Sequence, residues 1–495
     1  MAKSYKRKRV SFSNFLCNMN VDDDEYSLDP NSARICYNTK TNAGALVTGN
    51  GFEEMELPIS RNISITKTRK ITYSTAYTFV KIWRYAYYSQ PNEREDYMLV
   101  ALGSDKKIYY LNLFLITKTF GLLTDYTFNE EPTAMTFRVD NKDVIGFVSP
   151  QDSILVWNSP NNPYQVESVP KFSSICYHNN RLFAIEKDNS NLVRFSSKLN
   201  PLDWTTSLLE TGGGSIELND YKGKLRNLIS LADNLYIFRD FGISRVNTYT
   251  FKAKYNAVNI YSSSCKIYCS TACVCGSRVY FLAEDGLYSF DGINVYKSSI
   301  KIMSLLDGDQ SNANTCYHNG NLFIACKLNF NDGEVIGSES EENYKNNALI
   351  EFNTNTKTYN ITRGVDISCM VSCKDLFMNK MIISMNGSKA GKLWQINESG
   401  KLDTQILPKK WQGGKINFNM FDKEKILKEV NLICRKDCYL TASSECGNKT
   451  ILIKASDSMQ RVRINLKGKN ISVQFSSNLD EIYVLTPQFV FNVEN

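Results

Sequence analysis

One element of this chain occurs twice. Cys176-Tyr177-His178-Asn179-Asn180-Arg181-Leu182-Phe183 returns 140 residues later as Cys316-Tyr317-His318-Asn319-Gly320-Asn321-Leu322-Phe323. An internal repeat constrains a fold more than any single motif, because each copy is a small unit that cannot bury its apolar face alone. The Asn-Asn and Asn-Gly pairs lie between two apolar runs. These residue types tolerate positive φ, so both pairs predict tight hairpin turns.

Looser copies surround the two clear ones. Leu231-Ala232-Asp233-Asn234-Leu235-Tyr236-Ile237-Phe238, Val274-Cys275-Gly276-Ser277-Arg278-Val279-Tyr280-Phe281 and Met378-Asn379-Lys380-Met381-Ile382-Ile383 each run from a polar turn into a short apolar stretch. A second stretch follows each, as in Leu192-Val193-Arg194-Phe195, Gly242-Ile243-Ser244-Arg245-Val246 and Gly286-Leu287-Tyr288-Ser289-Phe290. Ala348-Leu349-Ile350-Glu351-Phe352 and Lys392-Leu393-Trp394-Gln395-Ile396 play the same part. Upstream, Met98–Leu102 pairs with Lys107–Leu111, and Val144–Val148 with Ser153–Trp157. Alternation in several of these runs is the mark of half-buried strands.

Seven hairpins result, starting near residues 98, 144, 182, 235, 279, 322 and 381. Their mean spacing of about 47 residues suits the blades of a propeller, and 140 residues is then three blades. Stacking blades around an axis buries both faces of each and leaves only short edges. The predicted fold is therefore all-β: a β-propeller of about six or seven blades over residues 61–408. An extended N-terminal arm (1–60) precedes it. A β-sandwich-like module (409–495) follows, with six short strands: Ile416–Phe421, Glu429–Ile433, Thr450–Ile453, Arg461–Leu466, Ile471–Phe475 and Phe489–Phe491. Asn329–Asn347, carrying Glu334, Glu339, Glu341 and Glu342, reads as a solvated loop on the rim.

Composition narrows the chemistry. The chain has 495 residues, a net charge of +7 and two histidines. That charge is too weak to argue nucleic-acid binding by itself. A histidine-rich metal site is out of reach, and any Ser-His or Cys-His machine must use His178 or His318. No apolar core follows the basic start, so no secretory signal is read, and Tyr109–Leu123 is too short and polar to span a bilayer. A soluble protein made in the cytoplasm is expected. The 14 cysteines then read as reduced, mostly buried thiols.

Each candidate for chemistry has a plainer reading. Cys265, Cys269, Cys273 and Cys275 are evenly spaced and would share one face of an unbroken strand, but no Cys-x-x-Cys knuckle accompanies them. Packing is the reading, and no metal site is assigned. The two histidines occupy one repeat position, which suggests rings closing a turn by bonding to backbone. Glu210-Thr211-Gly212-Gly213-Gly214-Ser215 lacks the lysine and helix of a phosphate loop and reads as a flexible inter-strand loop. Asp22-Asp23-Asp24-Glu25 and Asp307-Gly308-Asp309 match no calcium loop. Lys3, Lys6, Arg7, Lys8 and Arg9 could touch a nucleic acid or an acidic partner. No catalytic or cofactor-binding residue is assigned, and no cofactor.

Several strings together resemble one family. Asn31-Ser32-Ala33-Arg34, Asn42-Ala43-Gly44-Ala45-Leu46 and Gly49-Asn50-Gly51-Phe52 resemble the opening of tailed-bacteriophage propeller proteins. Asn200-Pro201-Leu202-Asp203-Trp204 is similar to their mid-propeller loop. Lys222-Gly223-Lys224-Leu225, running on into Leu235–Phe238 and Gly242–Val246, resembles the strand pair after it. Asp285-Gly286-Leu287-Tyr288-Ser289-Phe290-Asp291-Gly292 looks like their recurrent blade end. The family is that of the podovirus tail nozzle, or tail tubular protein B, with the related tail-hub and packaged-DNA-stabilisation proteins. The likeness covers about residues 30–495. The cysteine count is not part of the family pattern, and no functional residue of the family maps onto this chain.

The resemblance implies a non-enzymatic virion protein of a phage tail. It would form a ring, sixfold in such tails, below the portal and its adaptor. That ring would extend the DNA channel and hold the packaged genome until ejection. Twenty-eight tyrosines suit wide protein–protein contacts. Two other readings stay open: a receptor- or glycan-binding propeller with aromatics on one loop face, and a propeller hydrolase or lyase with Asp, Glu, Arg or Tyr converging on one mouth of the axis.

Overall fold

The computed structural model describes residues 4–494, apart from 59–67, 71–77, 90–93, 114–119, 331, 333, 335, 337–340, 375–378 and the single positions 160, 167, 168, 199 and 249. Among the described residues the regular structure is strand, with only a few three-residue 3-10 turns. Six four-stranded antiparallel sheets and a seventh, six-stranded one that Lys401–Leu402 and Gln405–Ile406 extend, follow one another as blades 1 to 7. Their innermost strands are Phe79–Ser89, Thr133–Val139, Phe172–His178, Leu225–Leu231, Ile267–Cys275, Asn314–His318 and Ile367–Lys374. Each packs against the next, and that of blade 7 packs back against that of blade 1, so the ring of blades is closed. The hairpins read from sequence are the second and third strands of these blades.

The repeated element explains itself locally. Asn179 and Asn180 have φ of 48° and 60°, and Asn319 and Gly320 have 48° and 85°, as two-residue hairpin turns require. The two copies lie in blades 3 and 6, three blades apart. Between blades the cores are apolar: Phe183, Ile185, Leu235 and Ile237 are fully buried where blade 3 meets blade 4.

Blade 7 is completed from the other end of the chain. Residues Ile367–Asn397 supply three strands, and Gly51–Glu54 supplies the fourth, with Trp394 opposite Glu54 and Ile396 opposite Phe52. Closing the ring with a strand from before the first blade ties the two ends of a circle that is otherwise built only from neighbours.

The other strands described before residue 50 likewise join sheets with distant partners. Tyr5–Ser11, Thr39–Asn42 and Ala45–Thr48 join Lys425–Cys434, Ser456–Gly468 and Tyr483–Glu494 in one six-stranded sheet. Ala33–Tyr37 joins Lys409–Gly413, Cys438–Ser444, Gly447–Ile453 and Ser472–Ser477 in a second sheet. Phe12, Phe15, Trp411, Phe475 and Phe489 fill the space between the two, with ring centroids 4.9 to 6.2 Å apart. The arm is thus a structural share of both units and not a strap lying on them. The sandwich also departs from its expected strands. Ile416–Phe421 is a turn, with Phe418 and Asn419 at positive φ, and three of the strands run to ten or more residues.

The insert after blade 6's second strand is not a solvated loop. Phe330 and Ile336 are buried. Asp332 and Glu341 close on the buried guanidinium of Arg363, both at 2.8 Å, and Glu334 binds Lys410 of the sandwich at 3.0 Å. Arg363 also lies over the rings of Phe330 (4.3 Å) and Tyr37 (5.0 Å). Burial works against the charge on Arg363, and the Glu341 carboxylate more than offsets it, so its pKa rises. Glu339 lies outside the described residues. The insert is a clasp between propeller and sandwich.

Candidate functional site

The first residues of all seven innermost strands meet around one end of the propeller axis. They enclose a cavity of about 880 Å3. Five of these strands carry a register shift at the mouth, and in four of them it is a single extra residue. The extra residues are Val80, Ser173, Arg226 and Ser368, each set between two paired neighbours, and all four line the cavity. A bulge turns a strand locally and re-aims its side chains, which is how a regular blade can present an irregular mouth.

Two kinds of polar group stand there. Arg226 holds Asp240 through paired contacts at 2.8 and 3.4 Å, and Lys81 meets Glu131 at 3.3 Å. Lys266 reaches Asp309 at 3.6 Å. Between them, amides stitch neighbouring blades: Asn227 Nδ2 donates to the Cys269 carbonyl (3.0 Å), Asn314 Nδ2 to that of Ser368 (3.0 Å), and Asn346 Nδ2 to that of Ile367 (2.7 Å). Thr133 Oγ1 and Asn314 Oδ1 are buried and have no hydrogen-bond partner among the described residues. Both line the cavity. Buried polar atoms are ordinarily bonded, so these two are points where the hydrogen bonding of the lining is incomplete. Trp83 and Tyr268 add apolar surface.

Two kinds of reactive group line this mouth, carboxylates and thiols. Its carboxylates, Glu131 and Asp240, are each engaged by a cation. Burial pushes the Cys269 and Cys369 thiols up to about 12, so both stay protonated near neutral pH, where a thiolate would be needed for attack.

The residues singled out from sequence lie elsewhere. The histidines do not bond to backbone, as expected of them, but staple adjacent blades through hydroxyls. His178 Nδ1 meets Ser230 Oγ at 2.8 Å and Nε2 meets Thr248 Oγ1 at 2.9 Å, while His318 Nδ1 meets Ser372 Oγ at 2.9 Å. Burial lowers the pKa of both. The glycine-rich loop is an inter-strand loop, but it is pinned. The buried Arg181 guanidinium donates to the carbonyls of Ser196 (2.6 Å), Gly212 (2.8 Å) and Glu210 (2.5 Å).

The cysteine series does not share a face. A register shift between Tyr268 and Cys273 breaks the alternation, sending Cys269 into the blade 4–5 core and Cys275 into that beside blade 6. All 14 cysteines are free thiols, and among the described residues no group of three or more His, Cys, Asp or Glu could hold a metal. Asp22 instead accepts bonds from the Met303 and Ser304 amides at 3.1 Å, Asp23 pairs with Lys301 and Glu25 with Lys415. Asp307 and Asp309 pair with Lys327 and Lys266. Lys3 lies outside the described residues. The mouth itself was not singled out from sequence. Its only local signal is the polar residue that follows an apolar one at the start of an inner strand, as in Leu225-Arg226-Asn227.

No family model matches the chain, and no curated protein matches it. Among solved structures, Raptor from Chaetomium thermophilum is similar at 9% identity over 66% of this chain, with a TM-score of 0.42, and this chain spans 28% of that one. The N-terminal part of BBS1 in complex with ARL6 is similar at 8% identity over 71% of this chain and all of that one, TM-score 0.39. Hsv2 from Kluyveromyces lactis is similar at 9% identity over 58% of this chain and 98% of that one, TM-score 0.33. Among the described residues, no helix is long and apolar enough to cross a membrane.

Proposed function

We propose that this chain is a structural protein of a phage tail. Copies of it, six in our reading, form a ring below the portal and its adaptor, extend the DNA channel and help retain the packaged genome until ejection. The observation that carries the reading is the arrangement of the chain around the phage-like strings. An N-terminal segment, a propeller and a C-terminal β module follow in the order the resemblance implies, and the N-terminal segment is built into both other units. A subunit with its ends locked into a sandwich is suited to bear load at a junction.

Native mass spectrometry of the purified chain, alone and with a portal–adaptor complex, tests this. A closed ring near six copies, or capture by the portal complex, supports it. A monomer that ignores the portal overturns it.

A second reading is favoured by one observation. The axial mouth sets Trp83 beside the amide and hydroxyl side chains of Asn227, Ser270 and Asn312, which suits a glycan. Glycan-array binding abolished by Trp83→Ala would support that alternative.

A further inference from the structure

The six-stranded sheet of the sandwich turns one face to solvent, and that face is cationic. Tyr5–Ser11, Tyr483–Glu494, Lys425–Cys434 and Ser456–Gly468 lie side by side in that order. One row across them reads Arg9, Val490, Glu429, Arg463. Residues opposite one another in a sheet share a face, as do residues two apart on a strand. Arg7 and Arg461 therefore join Arg9 and Arg463 on it. With Lys428 and Asn465, the arginines at 7, 461 and 463 rim a groove of about 420 Å3.

A single carboxylate serves these cations. Glu429 is 8% exposed and takes Arg461 Nε at 2.5 Å and Arg7 Nη2 at 3.3 Å. Arg9, Lys428 and Arg463 have no carboxylate partner among the described residues. One buried anion thus holds two guanidinium groups in place, while three further cations stand unneutralised. Clustered unpaired charge destabilises a fold by self-repulsion, and a binding face is a physical reason to keep it.

We infer that this face binds the phosphate backbone of duplex DNA. Four of the five cations are arginine, whose planar fork matches phosphate oxygens in pairs. The outer strands of the row are separated by two others, so at about 4.8 Å per strand Arg9 and Arg463 spring from backbones ~14 Å apart. That is close to the ~12 Å width of the major groove, so the two rows can follow the two phosphate strands that border it. The row's centre, over the groove itself, is Val490 and Glu429, where no phosphate needs to sit. The choice of duplex DNA as ligand rests in part on the tail-channel reading. The cationic face does not.

The test is fluorescence anisotropy of the full chain with a labelled 20-base-pair duplex of random sequence, from 50 to 200 mM salt. Binding is expected, with affinity falling steeply with salt. Arg9→Ala/Arg463→Ala should weaken it at least tenfold at 50 mM salt. It should also flatten the slope of log K against log salt by about 1.8, since each phosphate contact carries about 0.9. Lys198→Ala/Lys254→Ala, on exposed propeller loops, should change neither. Three results would overturn the inference: no binding at 50 mM salt, equal binding by the arginine variant, or full competition by an acidic peptide at equal charge concentration. Ring formation is read separately by mass. A monomer that binds DNA through these arginines sinks only the ring, and a ring indifferent to DNA sinks only this face.

Discussion

Arg363→Ala is the most informative single substitution for the architecture. In the native structure this guanidinium is 5% exposed and meets Asp332 and Glu341, which are 6% and 11% exposed. Its removal leaves two carboxylates out of water. Asp332 keeps the Tyr37 hydroxyl at 3.3 Å and Lys410 at 4.0 Å, so most of the penalty falls on Glu341. Breaking a buried pair by removing one partner costs about 3–5 kcal/mol, and the lost contact with two aromatic faces adds about 1 kcal/mol. The expected loss is ~4–6 kcal/mol. Urea unfolding followed by tryptophan fluorescence measures it, since Trp411 lies on the sandwich side of the clasp and Trp394 on the blade 7 side. Limited proteolysis should show new cleavage within 329–347. Replacing the whole network, as Asp332→Asn/Glu341→Gln/Arg363→Met, should cost less than the single change, because no buried charge is orphaned. A loss under about 1 kcal/mol for Arg363→Ala, with no new cleavage, would refute the clasp.

Four other outcomes follow from the same structure. Phe52→Ala, in the strand that closes blade 7, should cost about 3–5 kcal/mol by equilibrium unfolding, as for other fully buried phenylalanines. His178 and His318 have folded pKa values lowered by burial, so their contribution is complete above about pH 6.5 and is lost as pH falls through the folded values. The fall in Tm between pH 7 and 5 should shrink in His178→Gln/His318→Gln. Burial lowers Lys409 from 10.5 to about 8, so the native state gains on the unfolded one as pH rises from 8 to 10.5. Relative to Lys409→Met, wild type should therefore gain up to about 3 kcal/mol across that window, read from unfolding curves at each pH. Arg181→Ala should raise the hydrogen-exchange rates of residues 205–213 at least tenfold, because the carbonyls that fix that loop lose their donor.

What the sequence makes legible here is local. The blades were readable because their hairpins carry local signals: short polar turns, Asn-Asn in blade 3 and Asn-Gly in blade 6, flanked by apolar runs at a mean spacing near 47 residues. The closing strand Gly51–Glu54 pairs with residues more than 300 positions away, and nothing in Gly51-Phe52-Glu53-Glu54 names Ile396 as a partner. The arm failed for the same reason, since Tyr5–Ser11 is a run of cations with no strand signal of its own and its mate is Tyr483–Glu494. The acidic insert was misread because glutamates usually mean solvent, and Arg363 sits beyond the insert on blade 6's outer strand. Even spacing of Cys265, Cys269, Cys273 and Cys275 implied one face until a bulge intervened. The axial mouth is assembled from seven distant strand starts, so no stretch of sequence displays it. Its local trace is the polar residue after an apolar one at the start of some inner strands, as in Leu225-Arg226-Asn227, with stitching asparagines such as Asn227 and Asn314 nearby.

The central claim concerns assembly, and the native mass of the purified chain tests it most directly. The account predicts a closed ring of about six copies, or a defined complex with portal and adaptor. A monomer at micromolar concentration that also fails to join the portal complex would contradict it.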